Sequence, residues 1–134
     1  MYLFDTNICI YAMKGRHPLL TKYIYSMDPG DICISSITVF ELEYGSARSQ
    51  WPEQTRRNTD IFLAPFPILP FERKDAIIAG QIRADLAKIG WNIGAYDILI
   101  AAQGLARGLT VVTHNTKEFS RVPGLILEDW IICG

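Results

Sequence analysis

Asp5, Asp97, one of the pair Glu41 and Glu43, and Asn115 carry the oxygen-rich side chains that divalent-metal chemistry needs. Asp5 ends the apolar run Tyr2-Leu3-Phe4 and precedes Thr6-Asn7 at an expected helix start. Asp is also a preferred N-cap, and the two readings overlap, because a metal-binding Asp stands at the carboxyl end of a strand. Asp97 opens Asp97-Ile-Leu-Ile-Ala-Ala-Gln-Gly-Leu-Ala106, a helix apolar almost all round and therefore buried. A first-turn Asp favours the helix dipole. Even so, a carboxylate at the mouth of a buried helix is costly unless something compensates it, and a divalent cation would do so. Glu41 shares a helical face with Ile37, Tyr44 and Gly45, and Glu43 shares one with Val39, Phe40 and Ala47, so periodicity does not choose between them. Asn115, just past the strand-like Leu109–Thr113, offers a neutral oxygen to a metal or its water. A hard cation prefers oxygen to the imidazole of His114, which is expected to make a structural hydrogen bond or face solvent.

Converging carboxylates repel one another and raise one another's pKa unless cations stand between them. Mg²⁺ or Mn²⁺ held by carboxylates and waters activates water and offsets charge on phosphoryl oxygens. That chemistry is phosphodiester hydrolysis, and the cation also attracts the anionic substrate. The net charge of −1 excludes binding through an overall basic surface, leaving local basic patches, bound cations or a basic partner. Arg56-Arg57, Arg73-Lys74, Arg83, Lys88 and Arg121 read mostly as a solvated face, lying near acids on helices. Lys117, near the Asn115 corner, is the basic residue expected to approach substrate. Tyr11, Trp51, Trp91 and Tyr96 are candidates to stack on an unpaired base, although core or interface packing is the commoner fate.

The elements that must position these groups alternate. Tyr2–Asp5, Ile32–Ser35, Phe66–Leu69, Leu109–Thr113 and Leu125–Leu127 read as strands without polar alternation, hence covered on both faces. Helices are expected at Thr6–Lys14, His17–Ser26, Thr38–Arg48, Pro52–Ala64, Glu72–Ile89 and Asp97–Arg107, with Gly90 and Gly108 as stops. The pattern predicts an α/β fold with a parallel sheet between helices, and in such sheets sites form outside the carboxyl ends of the strands.

Length fits one domain, large enough to bury roughly two-thirds of its unfolded surface without disulfides. A composition of 49% hydrophobic and 20% charged residues is that of a globular protein. Cys9, Cys33 and Cys133 form no Cys-x-x-Cys pair. Cys9 and Cys33 read as buried hydrophobes, and a reducing compartment is expected. With no signal sequence before Asp5 and no apolar stretch of the roughly 20 residues a bilayer requires, the expected location is cytoplasmic.

The stretches Leu3-Phe4-Asp5-Thr6-Asn7, Ile34-Ser-Ser-Ile-Thr-Val-Phe-Glu-Leu-Glu-Tyr-Gly45 and Gly94-Ala-Tyr-Asp-Ile-Leu-Ile-Ala-Ala102 together resemble the PIN-domain nucleases, most closely their VapC toxin branch. The resemblance continues through Gly108-Leu-Thr-Val-Val-Thr-His-Asn-Thr-Lys-Glu-Phe119 and Val122-Pro-Gly-Leu-Ile-Leu-Glu-Asp-Trp130, in the family's order and spacing. It implies a single PIN domain over residues 1–134, a three-layer α/β/α fold with a central parallel sheet of four to five strands. It implies a toxin of a type II toxin–antitoxin pair: a Mg²⁺-dependent endoribonuclease (Mn²⁺ as a substitute) acting on tRNA, notably initiator tRNA cut in its anticodon loop. Members of this branch form homodimers and are silenced by a VapB-like antitoxin. By motif, Asp5, Asp97 and Glu41 become the metal ligands, which decides against Glu43. Thr6, Asn7, Ser36 and Thr113 would hold the carboxylates and waters. Asn115 departs from the acid that many members carry there, leaving three acids and an amide, and Ala95 stands where Pro is often found.

A non-catalytic PIN-like module that binds RNA or a partner is the alternative, and it would be favoured by loss of the acids, all of which are present. A doubly wound phosphatase would want a second Asp where the chain has Asn7. A phosphoacceptor would place its nucleophile after a later strand, with a Lys directly after Leu109–Thr113.

Overall fold

A computed structural model describes residues 1–132; Cys133 lies outside them. Five parallel strands, β1 (Tyr2–Phe4), β2 (Ile32–Ser35), β3 (Ile68–Leu69), β4 (Thr110–Val112) and β5 (Ile126–Glu128), pair in the order β3-β2-β1-β4-β5. Helices α1 (Thr6–Lys14), α2 (Pro18–Tyr25), α3 (Ser36–Ala47), α4 (Pro52–Leu63), α5 (Arg73–Lys88), α6 (Ala95–Arg107) and α7 (Thr116–Phe119) connect them, with a single 3-10 turn at Pro29–Asp31. This is the expected three-layer α/β/α fold.

The strands read as apolar runs because both faces are covered. Leu3, Cys33 and Val111 pack in one core with Ala79, Ile82 and Leu86 of α5 and Ile98, Ala101 and Ala102 of α6. Their neighbours Phe4, Ile32, Ile34 and Val112 point the other way, into a core with Ile8, Leu20, Leu42 and Trp130. The period of two along each strand distributes one short sequence between two cores. Cys9 and Cys33 are buried, one on each side, and burial raises both thiol pKa values. No helix of the described residues is long and apolar enough to cross a membrane.

Several boundaries differ from expectation for local reasons. α3 starts at Ser36 rather than Thr38, because the Ser35 side chain accepts from Ile37 N and caps the helix two residues early. α6 starts at Ala95, so Asp97 lies inside its first turn. The expected strand Phe66–Leu69 shrinks to Ile68–Leu69, since Phe66 N bonds back to Leu63 O and Pro67 has no N–H to give. α6 ends as Gly108 takes a left-handed φ of 64° that only glycine adopts cheaply. Leu109 N then closes on Gly104 O instead of starting β4.

Gly104 marks where α6 lies closest to the sheet. A Cβ there would fall 2.6 Å from Val111 Cγ2 and 3.1 Å from Leu125 Cδ1. Val111 is fully buried and its β-branched side chain has little freedom to turn. Gly104→Ala is therefore expected to lower stability by about 1–3 kcal/mol through overpacking, although alanine alone would favour the helix by about 1 kcal/mol. The urea midpoint measures this, and a midpoint that rises would mean that α6 can back away from the sheet.

Candidate active site

Because all strands are parallel, their carboxyl ends gather on one edge, and the chemistry-bearing residues follow them. Asp5 closes β1 and caps α1: Oδ1 accepts from Ile8 N at 2.8 Å, and Oδ2 from Thr113 Oγ1, beyond β4, at 2.6 Å. It is the α1 N-cap and a site-edge carboxylate at once. Burial raises its pKa, Thr113 and Ile8 oppose the rise, and the nearby charges of Glu41 and Asp129 add to it; the net shift is upward.

Thr6 Oγ1 donates to Glu41 Oε1 at 2.6 Å. Its one proton is thereby used, so at the 3.0 Å contact with Thr38 Oγ1 the Thr38 hydroxyl is the donor. Glu43 turns away to pair with Arg56 of α4 at 3.0 Å. Asp97 receives no side-chain hydrogen bond among the described residues, and its pKa is pushed up to about 6 by burial and then by the charges of Asp5, Glu41 and Glu118. The charges of Asp5 and Glu41 contribute to the Asp97 shift, and that of Glu41 to the Asp5 shift.

Glu118 went unnoticed in the sequence. It lies on α7, one helical turn beyond Asn115, whose Nδ2 donates to Glu118 Oε2 at 2.8 Å. The only signal was the spacing Asn115-x-x-Glu118. The corner that lacks an acid at position 115 thus regains one three residues later.

The other expected residues divide. Thr113 accepts from Asn115 N at 2.9 Å while donating to Asp5. Ser36 Oγ accepts from Phe71 N, tying α3 to the segment before α5 rather than to a carboxylate. Asn7 is exposed and makes no side-chain hydrogen bond among the described residues. His114 Nδ1 meets Asp129 Oδ2 at 2.9 Å, the structural hydrogen bond expected of it. Lys117 is exposed on α7, beside Glu118. Tyr11 packs edge-on against His17, whereas Trp51, Trp91 and Tyr96 are exposed.

Among the described residues no three His, Cys, Asp or Glu side chains form a ready-made metal cage. The acids are instead an open set whose like charges act on one another. Mg²⁺ retains several waters and needs only one or two carboxylates, so an open set of hard oxygens with a strongly raised Asp97 fits such an ion. It does not fit a closed zinc site.

The PIN domain pattern matches residues 2–125. The "tRNA(fMet)-specific endonuclease VapC" of Shigella flexneri is 41% identical over 96% of this chain and 97% of its own length. "Ribonuclease VapC2" of Rickettsia felis is 41% identical over 97% and 98%. Among solved structures, the DNA-bound VapBC of Salmonella typhimurium superposes with a TM-score of 0.91 at 40% identity, covering 96% of this chain and 97% of that one. The promoter-bound VapBC2 of Rickettsia felis gives 0.90 at 39%, covering 96% and 98%.

Proposed function

The chain belongs to the PIN-domain family, and from that premise we propose that it is a divalent-metal-dependent endoribonuclease, the toxin of a toxin–antitoxin pair. The observation that carries the reading is Asp97: a partly buried carboxylate, without a side-chain hydrogen bond among the described residues, raised to about 6 by burial first and then by its acidic neighbours. Such a group is stabilised by a cation. The names of the Shigella and Rickettsia relatives support RNA as substrate, with initiator tRNA favoured. The solved VapBC complexes support a VapB-like antitoxin as partner. The reading includes one PIN domain over residues 1–134, a homodimer, Mg²⁺ as the ion and a cytoplasmic location.

Asp5, Glu41 and Asp97 would hold the ion. When bound, it lowers the pKa of water and offsets charge on the phosphoryl oxygens. Ile8 N and Thr113 Oγ1 engage both Asp5 oxygens and fix the carboxylate that would meet the ion. Thr6 aims Glu41 in the same way. Asn115, its amide nitrogen engaged by Glu118, leaves Oδ1 to orient a water.

The test is cleavage of a total tRNA pool by the purified chain. Cutting is expected with Mg²⁺, to stop with excess EDTA and to return when Mg²⁺ is restored. Intact RNA in the presence of folded protein and Mg²⁺ or Mn²⁺ would overturn the reading.

A further inference from the structure

Between α5 and α6 runs a groove of about 620 Å³. Its walls include Arg83, Trp91, Asn92 and Tyr96, and its base is left open by small residues such as Gly80. A Cβ at Gly80 would meet nothing within 4 Å. Trp91 is 50% exposed and Tyr96 45% exposed, which is unusual for two large rings on one groove. The Arg121 guanidinium lies over the Trp91 ring, 5.7 Å from its centroid, and is anchored by a 2.6 Å hydrogen bond to Asn92 O. Arg83 makes no ion pair among the described residues.

The groove adjoins the acid-bearing segments through its wall residue Tyr96. Tyr96 immediately precedes Asp97, and its ring meets the exposed Phe40 edge-on at 5.5 Å, while Phe40 immediately precedes Glu41. The Phe40–Tyr96 contact thus joins the residues that directly precede two of the acids. Aromatic faces take unpaired bases whatever their identity, and arginines beside them take the phosphates. In a chain of net charge −1, Arg83 on the groove wall and Arg121 over the Trp91 ring are a local cationic feature.

From this we infer that the α5–α6 groove is the seat of an unpaired nucleotide of the RNA, next to the bond that is cut, with Trp91 and Tyr96 as stacking surfaces and Arg83 and Arg121 on its phosphates. The inference rests on the ribonuclease reading above and adds a specificity site to it. The groove's volume suits a single nucleotide, within the roughly 300–1,000 Å³ of small-ligand sites.

The test is a cycle between protein and substrate. Steady-state cleavage is measured on a short fluorescent single-stranded RNA carrying the bond that the wild-type chain cuts, and on versions abasic at each flanking position. Trp91→Ala is expected to raise KM by about tenfold, one lost stack, with kcat little changed and an unaltered melting temperature. One abasic RNA should raise KM for the wild type equally, and combining the two changes should add nothing further. Trp91→Phe should restore KM, and Arg83→Gln should raise it while flattening its salt dependence. An unchanged KM in Trp91→Ala, or fully additive losses, overturns the inference alone. So does an unchanged KM with altered sedimentation or antitoxin binding, which would make the groove a protein contact. A wild-type chain that cuts no RNA overturns the ribonuclease reading and this inference with it.

Discussion

Asp97→Asn is expected to lower kcat for RNA cleavage by about a thousandfold, equivalent to roughly 4 kcal/mol of transition-state stabilisation, while making the metal-free protein more stable. The substitution keeps shape and removes charge. In the native chain the Asp97 pKa is about 6 against an ordinary 3.8, raised by burial first and then by Asp5, Glu41 and Glu118. The folded state therefore binds this proton more tightly than the unfolded chain. Stability rises as pH falls from about 6 towards 3.8 and is lost as pH climbs through that window. Asp5 is shifted in the same direction. At pH 7.5 with EDTA, Asp97→Asn should gain about 1–2 kcal/mol after solvent screening, a rise of roughly 3–6 °C in Tm. Calorimetry across pH 4–8 checks both parts, since the acid-side gain should flatten in the variant. A lower Tm at pH 7.5 would mean that the carboxylate makes favourable contacts within the protein. Added Mg²⁺ should stabilise the wild type and not the variant.

Arg107→Ala should do the reverse, costing stability and sparing chemistry. Arg107 ends α6 and donates to Asp75 Oδ2 at 2.9 Å, to Asp75 Oδ1 at 3.2 Å and to Glu72 Oε1 at 2.7 Å. Asp75 has no solvent exposure and also completes a capping box at the start of α5 by accepting from Glu72 N. Burial alone would raise its pKa, but the Arg107 hydrogen bonds and the Glu72 amide hold it below the usual value. A depressed folded pKa contributes stability above the ordinary 3.8, lost as pH falls through the folded value. Removing the guanidinium strands a buried carboxylate, and a loss of about 3 kcal/mol is expected, or roughly 10 °C in Tm. RNA cleavage at a temperature where the variant is folded should stay within about twofold, because Asp97 is at the opposite end of α6. An unchanged Tm would show that Asp75 keeps its ionised state without Arg107.

The layers and the parallel sheet follow from features the sequence displays openly. Apolar runs such as Ile32–Ile34 and Val111–Val112 need cover on both faces, and glycines at 90 and 108 stop the helices between them. What remained hidden depended on contacts distant in sequence. Glu41 and Glu43 are indistinguishable by helical face, and what separates them is Thr6 on one side and Arg56 on the other. Ser36 looked like a carboxylate support, but its partner Phe71 lies 35 residues away. Glu118 has no mark in the sequence beyond its spacing from Asn115: α7 carries the acid one turn onward, with the Asn115 amide bound to it. Capping chemistry at Ser35 moved the start of α3, a local effect that hydrophobic periodicity does not register.

The hydrogen bond from Thr113 to Asp5 spans 108 residues. During synthesis the first strand emerges at once, yet Asp5 Oδ2 gains its partner only when residue 113 has left the ribosome and β4 has docked beside β1. The same delay applies to Asp97 and Glu118, which are made late. A growing chain therefore holds Asp5 and Glu41 before Asp97 and Thr113 exist. For an enzyme whose substrate is RNA, a centre drawn from both ends of the chain is complete only once residue 118 has been made.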